Sequence, residues 1–184
     1  MDGTRKILVL GASGLIGRFI VDDLRVRGFD VMGMARVLPA SQRNSPNDLE
    51  QPIMAMDAPA LASLLREHAI DVVVNCLGVL QDGPGSDTAA VHRDFVARLL
   101  RAVAACGRAV RLVHISIPGT DDTDRTAFAA TKREAERLIA ASGVPHAILR
   151  PGFVVAPAAY GGSAMLRALA ALPIDLPAVE RTTQ

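Results

Sequence analysis

Tryptophan is absent from this chain, and tyrosine occurs once, at Tyr160. Aromatic residues make up 3% of the 184 positions, too few for the stacking platforms that hold single-stranded nucleic acid. No excess of charge exists either. Twenty Lys and Arg stand against 19 Asp and Glu, a formal net charge of +1, so no nucleic-acid partner is expected. Cysteine is limited to Cys76 and Cys106, and the histidines (His68, His92, His114, His146) lack metal-ligand spacing. Two free thiols and no metal site are therefore expected. No apolar run is long enough to cross a bilayer. No signal-peptide pattern is seen, because Met1-Asp2-Gly3-Thr4 leads directly into a strand-like run. The expectation is a cytoplasmic protein without a membrane partner.

Half of the residues are hydrophobic, enough for one sizeable core. Strand-like runs fall near residues 5–10, 30–35, 52–56, 70–76, 110–116 and 145–150. Helical patterns fall near 14–27, 58–68, 87–106, 123–142 and 162–171. Val72-Val73-Val74 and Leu112-Val113-His114-Ile115 lack polar alternation, as suits strands covered on both faces. Alternating strands and helices predict a doubly wound α/β fold, whose ligands sit at the carboxyl ends of the strands. Residues 36–51 read as a polar loop, and 81–87 as a second, glycine-rich one.

Gly11-Ala12-Ser13-Gly14-Leu15-Ile16-Gly17 follows the apolar run Ile7-Leu8-Val9-Leu10 and opens a helical pattern. Strand, glycine turn and helix are what a dinucleotide pyrophosphate requires. The glycines let the backbone turn and approach closely, and the helix N-terminus presents N–H groups. Arg36 closes the second strand, where an acidic residue would hold the ribose 2′-hydroxyl of NAD. Arginine suits a 2′-phosphate instead, so NADP(H) is expected over NAD(H). A solvated surface arginine is the alternative. Asp57 suits an adenine amino group, a helix N-cap, or both. Asn75-Cys76-Leu77-Gly78 ends the fourth strand, with Gly78 allowing close approach of a ribose or phosphate. Ser116 ends the fifth strand. His114 shares its face and reads as a core histidine rather than a base.

These features, with Lys132 and Arg150-Pro151-Gly152, occur in the order of the short-chain dehydrogenase/reductase superfamily. The chain resembles its extended or atypical branch over nearly its whole length, including NmrA-like proteins and relatives of a complex I accessory subunit. The resemblance implies a three-layer Rossmann domain with strand order 3-2-1-4-5-6. It implies cofactor contacts from Gly11, Ser13, Gly14, Leu15, Ile16, Gly17, Arg36, Asp57, Cys76, Leu77, Gly78, Lys132 and Pro151, and catalytic roles for Ser116 and Lys132. Residues 1–160 would form the dinucleotide-binding domain. Residues 161–184 would be a remnant of the substrate region, whose lobe is mostly missing; an uncovered cleft would favour self-association.

One position departs from the family. Its catalytic pair is Tyr-x-x-x-Lys, but here the segment reads Phe128-Ala129-Ala130-Thr131-Lys132. A phenyl ring cannot exchange a proton. Thr131, Ser116 or a water are the remaining candidate donors. Lys132 would still hold a ribose, unless it belongs to a charged helix face with Arg133, Glu134, Glu136 and Arg137. Three readings follow: an NADP(H)-dependent oxidoreductase acting on a small carbonyl-type substrate, a non-catalytic redox sensor or scaffold, and an epimerase/dehydratase-like protein. A triphosphatase P-loop and a hydrolase nucleophile elbow are excluded, for lack of Gly-Lys-Ser/Thr and Gly-x-Ser-x-Gly.

Overall fold

The computed structural model describes residues 5–40, 45–84, 86–122, 125–152, 154, 156 and 168–171. The chain divides into two units, Met1–Gly152 and Phe153–Gln184. Residues 157–160, on which the expected boundary after 160 depends, lie outside the described residues, as do 162–167 of the last expected helix.

The first unit is a six-stranded parallel sheet of order β3-β2-β1-β4-β5-β6. Its strands are β1 (Lys6–Leu10), β2 (Asp30–Ala35), β3 (Leu49–Glu50), β4 (Val72–Asn75), β5 (Arg111–Ile115) and β6 (His146–Leu149). Its helices are α1 (Leu15–Val26), α2 (Ala58–Glu67), α3 (Phe95–Ala105) and α4 (Ala127–Ala141). A π turn at Ala90–Asp94 leads into α3. This is the expected Rossmann arrangement.

Side chains alternate across each strand, which explains the absence of polar alternation in the sequence. Leu8, Leu10, Met32, Met34, Val73 and Leu112 pack into one core with Leu61 and Leu65 of α2, Phe95 and Leu99 of α3 and Ile139 of α4. Ile7, Val9, Val31, Ala35 and Val74 pack on the opposite face with Val21 of α1.

The third strand lies elsewhere than expected. It is Leu49–Glu50, inside the stretch that reads as a polar loop, and Ile53–Ala55 is a 3-10 turn rather than a strand. The N–H of Gln51 still pairs with Ala35 O at 2.9 Å, but Pro52 has no N–H and ends the ladder. The buried Ile53 then enters the core from the turn. Polar residues before β3 also serve the sheet. Asp48 Oδ1 accepts from the Gly33 N–H and from Arg25 Nη2, each at 2.6 Å.

Candidate functional site

The site begins where β1 ends. The N–H groups of Gly11 and Ala12 both donate to Met34 O, which fixes the turn against β2. Gly11 has φ +80°, and a Cβ there would lie 3.2 Å from Leu77 Cδ2 and 3.3 Å from the Cys76 backbone. Both facts demand glycine. The Gly14 N–H donates to Gly11 O, and Gly14 then N-caps α1 without a side-chain hydrogen bond. The first turn of α1 therefore offers its N–H groups and partial positive charge to an anion.

Seven of the expected cofactor residues meet around one cavity of about 450 Å³: Gly11, Ser13, Gly14, Arg36, Cys76, Leu77 and Gly78. Ile53, Met54, Val79 and Val91 complete much of its wall; their apolar side chains carried no distinguishing signal in the sequence. Leu15, Ile16 and Gly17 follow in α1, and Gly17 is buried beneath the turn. Asp57 is exposed and caps α2, its Oδ1 accepting from the Ala60 N–H at 2.8 Å. It is not among the residues lining the cavity. Pro151 follows β6 and is half-buried.

Lys132 stands beside Gly78. A Cβ at Gly78 would come 3.5 Å from Lys132 Nζ and 3.6 Å from His92 Nε2. Lys132 is 5% exposed, so the charged-face alternative does not hold for it. Its ammonium donates to Ile115 O at 3.0 Å and Leu77 O at 3.3 Å. Burial lowers its pKa to about 8, against smaller opposing effects from Cys76 and Glu136. Burial pushes the Cys76 thiol up to about 12, which keeps it protonated at neutral pH.

His92, which sequence reasoning gave no role, joins the loop after β4 to α4. Its Nε2 accepts from the Val79 N–H at 3.1 Å, and Nδ1 lies 2.9 Å from Thr131 Oγ1. Because a backbone N–H can only donate, the proton sits on Nδ1 and is donated to Thr131. Burial, then the Lys132 charge, lowers the His92 pKa to about 4, so the ring is neutral. The Thr131 hydroxyl in turn donates toward Ala127 O at 2.8 Å. Thr131 is thus committed on both sides, and its expected place among the substitute proton donors is withdrawn. Phe128 presents its ring edge-on to His92, with centroids 5.4 Å apart.

Ser116 ends β5 with its N–H donated to Leu149 O at 2.7 Å. Its Oγ is buried, with the Glu136 carboxylate as its neighbouring acceptor. His114, fully buried, is the expected core histidine. Asn75 Oδ1 accepts from the Leu77 N–H, which directs its amide NH₂ toward His114 Nδ1 at 3.2 Å. Among the described residues no cluster of His, Cys, Asp and Glu could hold a metal, and both cysteines are free.

A strand, a tight glycine turn with room only for backbone, an uncapped helix and a cavity across the sheet edge fit a dinucleotide. The model of the NAD dependent epimerase/dehydratase family matches residues 7–175. The chain belongs to that family. It is 33% identical over 193 aligned positions to a 3-diazoavenalumate denitrifying reductase of Streptomyces, with 90% of this chain and 62% of the relative covered. The chain thus spans less than two thirds of that relative. Among solved structures, the Bordetella bronchiseptica enzyme WbmH in complex with NAD+ superposes with TM-score 0.65 and 18% identity, over 80% of this chain and 56% of that one. A short-chain dehydrogenase/reductase superfamily protein from Agrobacterium tumefaciens with bound NAD gives TM-score 0.63 and 25% identity, over 79% and 48%. Among the described residues, no helix is long and apolar enough to cross a membrane.

Proposed function

We propose that the chain binds NADP(H) in preference to NAD(H) and transfers hydride to or from a small carbonyl-type substrate. The observation that carries the reading is the cavity at the β1 turn, with Arg36 on its wall and Lys132 buried one residue's breadth from Gly78. Arg36 is exposed and available to fork onto a 2′-phosphate. The N–H groups of Ser13, Leu15 and Ile16 would face the pyrophosphate. Lys132 would hold the nicotinamide ribose with a further N–H. A bound nicotinamide would supply or accept the hydride. Phe128 has no proton to give and the Thr131 hydroxyl is engaged, so Lys132 and Ser116 are left as protein proton donors in reach.

The absence of a tyrosine hydroxyl at position 128 also favours a second reading, a dinucleotide sensor without turnover. Calorimetric titration with NADP(H) and NAD(H) tests the cofactor assignment. The expected result is NADP(H) binding at least about tenfold tighter, a difference of about 1.4 kcal/mol, and lost in Arg36→Glu. Equal affinities, or no effect of Arg36→Glu, would remove the 2′-phosphate reading. Turnover of bound NADPH with a panel of carbonyl compounds separates enzyme from sensor.

A further inference from the structure

Unsatisfied buried donors gather at one place in this molecule. Among the described residues, the buried side-chain atoms without a hydrogen-bond partner include His114 Nε2 and Arg133 Nη1 and Nη2. Both residues neighbour Glu136. His114 acts electrostatically on its carboxylate, for which the Ser116 hydroxyl is a hydrogen-bond donor, and Arg133 lines the same cleft as Glu136. Buried polar groups are otherwise almost always paired, so such a concentration calls for a cause.

Each of these three atoms is able to donate. Asn75 gives its amide hydrogen to His114 Nδ1, which leaves the ring proton of neutral His114 on Nε2. The Arg133 terminal nitrogens carry N–H groups only. The Arg133 side chain is 9% exposed, and among the described residues its one ion pair is from Nε to Asp121 Oδ1 at 3.3 Å. The acceptors nearby are already engaged. Arg150 forks onto Glu136 at 2.9 and 2.6 Å, and Arg137 reaches Asp121 at 3.1 Å. Three arginines against two carboxylates leave one positive charge in surplus.

A cavity of about 420 Å³ lies against this group, between α4 and the carboxyl ends of β5 and β6, with Ile148 and Ala140 on its apolar wall. We propose that this cleft binds a small organic oxyanion, a carboxylate or a phosphate ester, through the Arg133 guanidinium. Such a group supplies what the cluster lacks: two acceptor oxygens in the planar spacing of a guanidinium fork, and one negative charge. The apolar wall suits an attached hydrocarbon or ring.

The test is a titration of the ¹⁵N-labelled chain, free of dinucleotide, with benzoate and separately with phenyl phosphate. Arginine side-chain and backbone resonances are followed. The expected result is saturable binding of one probe below about 10 mM, with shifts at Arg133, Arg137 and Gly119. The probe that binds tighter identifies the anion class. Arg133→Met weakens it at least about tenfold, with melting curves showing the variant folded. Arg108→Met, at the Asp71 ion pair at the opposite sheet end, leaves it unchanged. No saturation with either probe, or wild-type affinity in folded Arg133→Met, overturns the proposal. Since no cofactor is present, neither result depends on whether the chain binds NADP(H).

Discussion

Gly17 lies directly beneath Gly11: a Cβ at position 17 would fall 2.2 Å from Gly11 O and 2.8 Å from Gly11 C. The last glycine of the turn thus serves packing rather than ligand contact. It lets α1 sit close enough to β1 for the N-terminus of the helix to point into the cavity.

Gly17→Ala tests this arrangement. The methyl group cannot be accommodated by a side-chain rotation, because the obstructing atoms are backbone. Overpacking of this kind costs about 1–3 kcal/mol. The expected result is a melting temperature several degrees lower, together with loss of dinucleotide binding, because the turn must open to relieve the contact. Wild-type stability and affinity in Gly17→Ala would show that α1 is free to shift.

Two buried histidines predict how stability responds to acid. Burial, followed by the Lys132 charge in each case, lowers the pKa of His92 to about 4 and of His114 to about 3. The unfolded chain, with ordinary values near 6.5, binds more protons than the folded one between those limits. Stability is therefore greatest above pH 6.5 and falls as the pH drops toward 4. Between pH 6.5 and pH 5 the loss is at most about 2 kcal/mol per histidine. Urea unfolding at pH 7 and pH 5 measures it. His92→Gln, which retains an acceptor for the Val79 N–H, should flatten the slope by about half. An unchanged slope would mean that His92 titrates normally.

The fold was legible because a parallel sheet buries both faces of its strands, and Ile7–Leu10 and Val72–Val74 carry that demand as unbroken apolar runs. The glycine turn was legible for a related reason, since close approach and positive φ leave no other residue type. The third strand was not. Its pairing consists of Leu49–Glu50 alone, while the apolar run that imitates a strand, Ile53-Met54-Ala55-Met56, is diverted by Pro52. Asp48 and Arg25 hold that edge through contacts 23 positions apart, and no local pattern announces them. Within the site, Gly78 is legible from its place at a strand end and Lys132 from the resemblance to the family's motif, whereas His92 is not. Its role depends on a π turn and on partners 13 and 39 residues away, a juxtaposition that only the folded chain creates.

Phe128→Tyr decides between the two readings of function. Phe128 is half-buried, one helical turn before Lys132, with its ring already held edge-on by His92. A tyrosine there keeps the ring in place and adds a hydroxyl on the side of the helix that carries Lys132, since residues i and i+4 share a face. The buried ammonium would favour the phenolate and so make the hydroxyl a better acid. General acid assistance is worth about 10²–10⁴ in rate. If the chain is an oxidoreductase working without that hydroxyl, NADPH-dependent turnover of a carbonyl substrate should rise by at least about tenfold, with cofactor affinity little changed. Turnover that stays absent in both proteins while NADP(H) still binds would mean that the cofactor is held for sensing, and that Phe128 marks a site no longer used for chemistry.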